Sequence, residues 1–130
     1  MLPATLLDAY DIYLRTGLPV GPRDEWLEFF RDAELWPIAR DGKYVGMILI
    51  HQAPTGQVLI HIGVLPEWQG RWVTKSMLKA YPHWKPQCPV YALVERTNYS
   101  LCRTVRKLDF KLHSEANDYL VYVKEPSCLL

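Results

Sequence analysis

At 130 residues with a formal net charge of +1, the chain is long enough for one hydrophobic core and too nearly neutral for a broad nucleic-acid footprint. Apolar residues make up 49% and charged ones 22%, a balance that excludes long disordered stretches. Cys88, Cys102 and Cys128 form no CxxC pair and His51, His61, His83 and His113 are scattered, so neither a disulfide framework nor a metal site is predicted.

The first helix is expected over 3–15, with Leu6, Leu7, Tyr10 and Leu14 at three- and four-residue steps and Gly17-Leu18-Pro19 ending it. A second is expected over Pro22–Asp32. Pro22 suits the first turn, Asp24 and Glu25 complement the dipole, and Trp26, Leu27 and Phe30 share a face. Leu35–Arg40 reads as a strand closed by the hairpin signal Asp41-Gly42. Tyr44–His51 and Gln57–Val64 read as two more, joined through Ala53-Pro54-Thr55-Gly56.

From Arg71 to Tyr81 a helix keeps Val73, Met77, Leu78 and Tyr81 on one side, until Pro82 stops it. Val90–Val94 is continuously apolar, the pattern of a short strand buried on both faces. Asn98 is a natural N-cap for a helix with Leu101, Cys102, Val105 and Leu108 on one stripe. Arg103, Arg106 and Lys107 read as the solvated face of that helix. Phe110–Ser114 and Tyr119–Lys124 close the chain as strands around Glu115-Ala116-Asn117-Asp118. The order predicts one α+β domain over residues 1–130, a mixed, mostly antiparallel central sheet with helices on both faces.

No apolar run approaches the length needed to span a bilayer, and MLPATLLDAYDIYLR lacks the basic start of a secretory signal. A cytoplasmic protein with no membrane or nucleic-acid partner is expected.

Chemistry concentrates in Val58–Leu78, where a β-rich run ends at Pro66 and Gln69-Gly70-Arg71 leads into a helix. A helix start presents unpaired N–H groups and a positive dipole end, which suits a phosphate. This run resembles the acetyl-coenzyme A loop of the GCN5-related N-acetyltransferase (GNAT) superfamily: a valine, a proline two residues on, then Q/R-x-x-G-x-G/A. Val64, Pro66, Gln69 and Gly70 match, while Trp72 and Thr74 replace the later small residues. A second block, Asn98-Tyr99-Ser100 through Lys107-Leu108-Asp109-Phe110, resembles that family's late helix, which ends K-x-G-F. Asp109 stands in place of the glycine. The resemblance covers most of residues 20–124.

It implies an acetyl-CoA-dependent transferase acting on an amine. The pyrophosphate would lie on Gln69, Gly70, Arg71, Trp72, Val73 and Thr74, and the pantetheine arm would pair with the Val64–Leu65 backbone. Asn98, which opens the late-helix block, joins the cofactor-binding set. Trp72 either blocks the approach or points away and leaves the N–H groups free. The family's thiolate-protonating tyrosine falls, counted from Phe110, at Val105. His61, on the strand leading into the loop, has a side chain suited to base work, and Glu95 closes the buried strand. Against these stand a core histidine and a solvated or capping glutamate. The alternative is a catalytically silent member kept for a protein partner. Short divergent chains resembling this one occur in bacteriophages, including as virion-associated proteins, so the host cytoplasm or a virion is then the expected location.

Overall fold

Thr5 opens the first helix, α1 (Leu6–Arg15), with a reciprocal capping box. Its hydroxyl accepts from the Asp8 N–H while its own N–H donates to the Asp8 carboxylate at 2.8 Å. The computed structural model describes residues 4–16, 20–69 and 88–126. The face that α1 buries is Ala9, Tyr10, Ile12 and Tyr13, whereas Leu7 and Leu14 lie outward. Of the expected stripe, Tyr10 is buried and Leu6 packs on the core, while Leu7 and Leu14 are corrected to the outer face. Tyr10 and Tyr13 are held inside by Trp26, whose ring centre lies 5.3 and 5.8 Å from theirs.

Next comes α2 (Arg23–Phe29), shorter than the expected 22–32. Pro22 is its extended N-cap rather than its first turn, and the chain leaves the helix at Phe30 through an Ala33 N–H to Phe30 carbonyl bond of 2.9 Å. The strands β1 (Glu34–Arg40) and β2 (Lys43–Gln52) pair antiparallel. Asp41 and Gly42, at φ 53° and 75°, supply the two left-handed residues that this two-residue hairpin requires. Then follow β3 (Val58–Val64) and a 3₁₀ turn over Pro66–Trp68.

After residue 87, β4 (Val90–Glu95) leads into α3 (Tyr99–Lys107), and β5 (Lys111–Ala116) and β6 (Tyr119–Lys124) form an antiparallel pair. The strand β4 alternates. Val90, Ala92 and Val94 are buried but Leu93 is 55% exposed, so the expectation of burial on both faces fails. The strand β5 runs on to Ala116, leaving Asn117-Asp118 as the hairpin turn. Asp109 takes φ 67°, the left-handed geometry that explains a family glycine here. Aspartate tolerates that region better than most residues, and its carboxylate lies 3.9 Å from Lys124 Nζ.

The six strands form one mixed sheet in the order β1-β2-β3-β4-β6-β5, the acyltransferase-like arrangement expected. The parallel ladder of β3 with β4 comprises Val58↔Val90 and Leu59↔Tyr91. Contacts divide the chain into two units, residues 1–51 with 61–69, and residues 52–60 with 70–130. In the first, a cluster of Tyr10, Tyr13, Trp26, Phe30, Met47, Leu49 and Leu65 forms the core. Trp26 meets Tyr10 edge-to-face at 5.3 Å and Phe30 at a tilt at 4.6 Å. In the second, Cys102 and Val105 of α3 and its C-cap Leu108 are buried, and the Arg106 guanidinium lies 5.8 Å from the Tyr122 ring centre. No helix among the described residues is long and apolar enough to cross a membrane.

Candidate active site

The first unit draws α1 and two strands close enough to exclude side chains. A Cβ on Gly63 would lie 2.8 Å from the Tyr13 ring, and one on Gly46 would lie 2.8 Å from the Gly63 carbonyl. The Tyr13 hydroxyl donates to the Met47 carbonyl at 3.2 Å, and burial pushes its phenol pKa up. This rigid seam holds β3 and, with it, the candidate base.

His61 is half-buried on β3, three residues ahead of Val64. Its Nε2 lies 3.2 Å from Nδ1 of His51, on β2, with ring centres 4.8 Å apart. Phe30 meets both rings edge-to-face, at 4.9 Å from His51 and 5.2 Å from His61. Phe29, 57% exposed, covers His51 at 5.1 Å. The apolar wall disfavours the imidazolium form. Burial, with repulsion from His51 added, lowers the His61 pKa to about 4, and burial lowers that of His51 as well. Both rings are thus neutral near pH 7, each with one lone pair and one N–H. A neutral imidazole is what a general base needs at the start of a reaction. His51 has no signal of its own in the sequence; only the pairing of β2 and β3 brings it to His61, ten positions along the chain.

The other predicted residues are placed as follows. Val64 and Leu65 are buried. The Leu65 N–H donates to the Val45 carbonyl at 2.9 Å, so that donor serves β2, while the Val64 carbonyl accepts from Gln69 Nε2 at 3.3 Å. Gln69 follows the 3₁₀ turn in an extended conformation, with its side chain folded back over the strand end. Gly70, Arg71, Trp72, Val73 and Thr74 lie outside the described residues, as does the helix expected over 71–81.

In the second unit, Glu95 is exposed at the end of β4, opposite Tyr119, and its carbonyl accepts the Asn98 N–H at 2.9 Å. Asn98 is the N-cap of α3, its Oδ1 accepting the Leu101 N–H at 3.1 Å. Val105 is fully buried, Cys102 is buried and Tyr99 is 71% exposed. His61 and Glu95 belong to different units.

A cavity of about 450 Å³ in the first unit is walled by Asp8, Asp11, Arg15, Lys43, Glu67 and Trp68 among others. Three carboxylates share this wall with two cations, and Arg15 pairs with Asp11 at 3.5 Å. Among the described residues no group of three His, Cys, Asp or Glu side chains is placed to hold a metal.

Comparison with known proteins agrees with this architecture. The Acetyltransferase (GNAT) family profile matches residues 4–110. No match was found among curated protein sequences. Among solved structures, a GNAT-family acetyltransferase from Bacillus cereus aligns with a TM-score of 0.70 at 13% identity, over 95% of this chain and 94% of that one. The ribosomal-protein-S18-alanine N-acetyltransferase from Escherichia coli aligns with a TM-score of 0.66 at 11% identity, over 97% and 92%. The N-acetyltransferase PseH from Campylobacter jejuni, in complex with acetyl coenzyme A, aligns with a TM-score of 0.54 at 14% identity, over 80% and 79%. At these identities the neighbours speak for the fold, and the family profile, spanning most of the chain, speaks for descent: the chain belongs to the Acetyltransferase (GNAT) family.

Proposed function

We propose that the chain, acting as one domain, transfers the acetyl group of acetyl-CoA to an amine, with His61 as the general base. The observation that carries this reading is the neutral His51–His61 pair, held against Phe30 on the strand that runs into Val64 and the loop beyond it. In this reading the amine arrives unprotonated and attacks the thioester carbonyl. The nitrogen of the tetrahedral adduct is far more acidic than a free ammonium, so a weak base suffices to take its proton. That proton goes to His61, the C–S bond breaks, and the thiolate leaves as the amide carbonyl forms. The end of β3, with Val64, Leu65 and Gln69, together with Gly70–Thr74, would hold the cofactor; Asn98 and Glu95 support the second unit as cap and strand end. The described residues suit such an arm in one respect, the Val64 carbonyl at the strand end, which keeps a second lone pair beside its Gln69 bond.

Val105 supports a second reading. A buried valine cannot protonate the thiolate, and among the described residues of α3 the candidate donors are an exposed tyrosine and a buried cysteine. A slow enzyme follows, or a silent scaffold kept for a protein partner, as in virion-associated phage proteins. Thiol release from acetyl-CoA across a panel of amines separates the two. The first reading predicts slow, amine-dependent release with matching acetyl-amine by mass spectrometry. Release indistinguishable from the protein-free rate for every amine would overturn it.

A further inference from the structure

We infer that His51 is a positioning residue: its Nδ1 accepts the Nε2–H of His61 and so leaves Nδ1 of His61 as the basic nitrogen. This deepens the reading above and rests on it, while the tautomer is measurable with or without activity.

The 3.2 Å contact admits two proton arrangements. In one, His61 donates through Nε2 and presents a lone pair at Nδ1. In the other, His51 donates and His61 carries its proton on Nδ1, where it is useless as a base. The two differ in what is stranded at the far nitrogen of His51. That atom, Nε2, is buried and has no hydrogen-bond partner. His51 is only 8% exposed, and its neighbours are the rings of Phe29 and Phe30, at interplanar angles of 60° and 65°. The first arrangement leaves a buried N–H at that atom and the second a buried lone pair. Only the first gives His61 a free lone pair, so the base role of His61 requires it, with Nδ1 of His51 as the acceptor that holds it.

Nitrogen-15 correlation spectra of histidine-labelled protein near pH 7.5 test this directly. The expected result is a His61 ring with its proton on Nε2, in a hydrogen bond to His51 Nδ1. A proton on His61 Nδ1 would overturn the proposal whether or not the protein is an enzyme. His51→Phe removes the acceptor and is expected to mix the His61 tautomers. It should also lower kcat about tenfold or more while leaving the KM for acetyl-CoA unchanged. His51→Asn, whose Oδ1 sits near the Nδ1 position, should restore both the tautomer and most of the rate. If His51→Phe shifted neither, His51 would be packing alone and the proposal would fail. Absence of any transfer in a protein whose His61 shows the expected tautomer would count against the enzyme reading and leave the positioning assignment standing.

Discussion

Replacing His61 by glutamine is expected to lower the rate of acetyl transfer by about 10²–10⁴-fold, the usual worth of a positioned general base. Glutamine keeps an N–H within reach of His51 and cannot take up a proton, so the loss should fall on kcat with little change in the KM for acetyl-CoA. The wild-type pH profile carries a second signature. Because burial and His51 hold His61 down to about 4, it is deprotonated throughout the neutral range. The acid limb of kcat/KM should therefore follow the acceptor amine and not a group titrating near 6.5. An unchanged rate in His61→Gln, measured by thiol release, would remove His61 from the reaction.

The same pair makes the fold sensitive to acid. In the unfolded chain a histidine binds its proton near 6.5, whereas folded His61 resists protonation down to about 4. Between those values the unfolded state holds more protons, so stability is complete above about pH 6.5 and falls as the pH drops toward 4. The shift of His61 corresponds to roughly 2–3 kcal/mol across that window, and the lowered His51 acts in the same direction. Urea unfolding of wild type and His61→Gln at pH 7.5 and at pH 4.5 isolates this from carboxylate titration. The wild type should lose more stability between the two conditions, by about that amount. Equal losses would show that the pair is not held neutral by the fold.

Local signals in the chain were reliable guides where the structure depends on them alone. Asp41-Gly42 makes its hairpin because both residues accept positive φ, and Asn98 caps α3 because its Oδ1 reaches the Leu101 N–H. Errors arose where a neighbour from elsewhere decides. Leu7 and Leu14 mimic a core stripe, but Tyr10 and Tyr13 meet Trp26 and displace them to solvent. Val90–Val94 looks buried throughout because it is uniformly apolar, and only its register against β6 shows that Leu93 faces outward. Among the candidate residues, His61 stands out in the sequence by its place on the strand before the loop. His51 does not, since its contact with His61 depends on the pairing of β2 with β3, and its surroundings on Phe29 and Phe30 at the end of α2. Asp109 was legible as a departure from the family pattern, and its positive φ accounts for how the position is kept.

A thermal-shift titration with acetyl-CoA tests the central claim most directly, because a ligand that binds only the folded state must stabilise it. At 100 times the dissociation constant the gain is about 2.7 kcal/mol, which for a domain of this size is a rise of several degrees in Tm. The expected result is a saturable rise with acetyl-CoA that is retained in His61→Gln, since the proposed role of His61 lies in the chemistry and not in holding the cofactor. A flat Tm up to millimolar acetyl-CoA would contradict it and leave the fold to a partner-binding role.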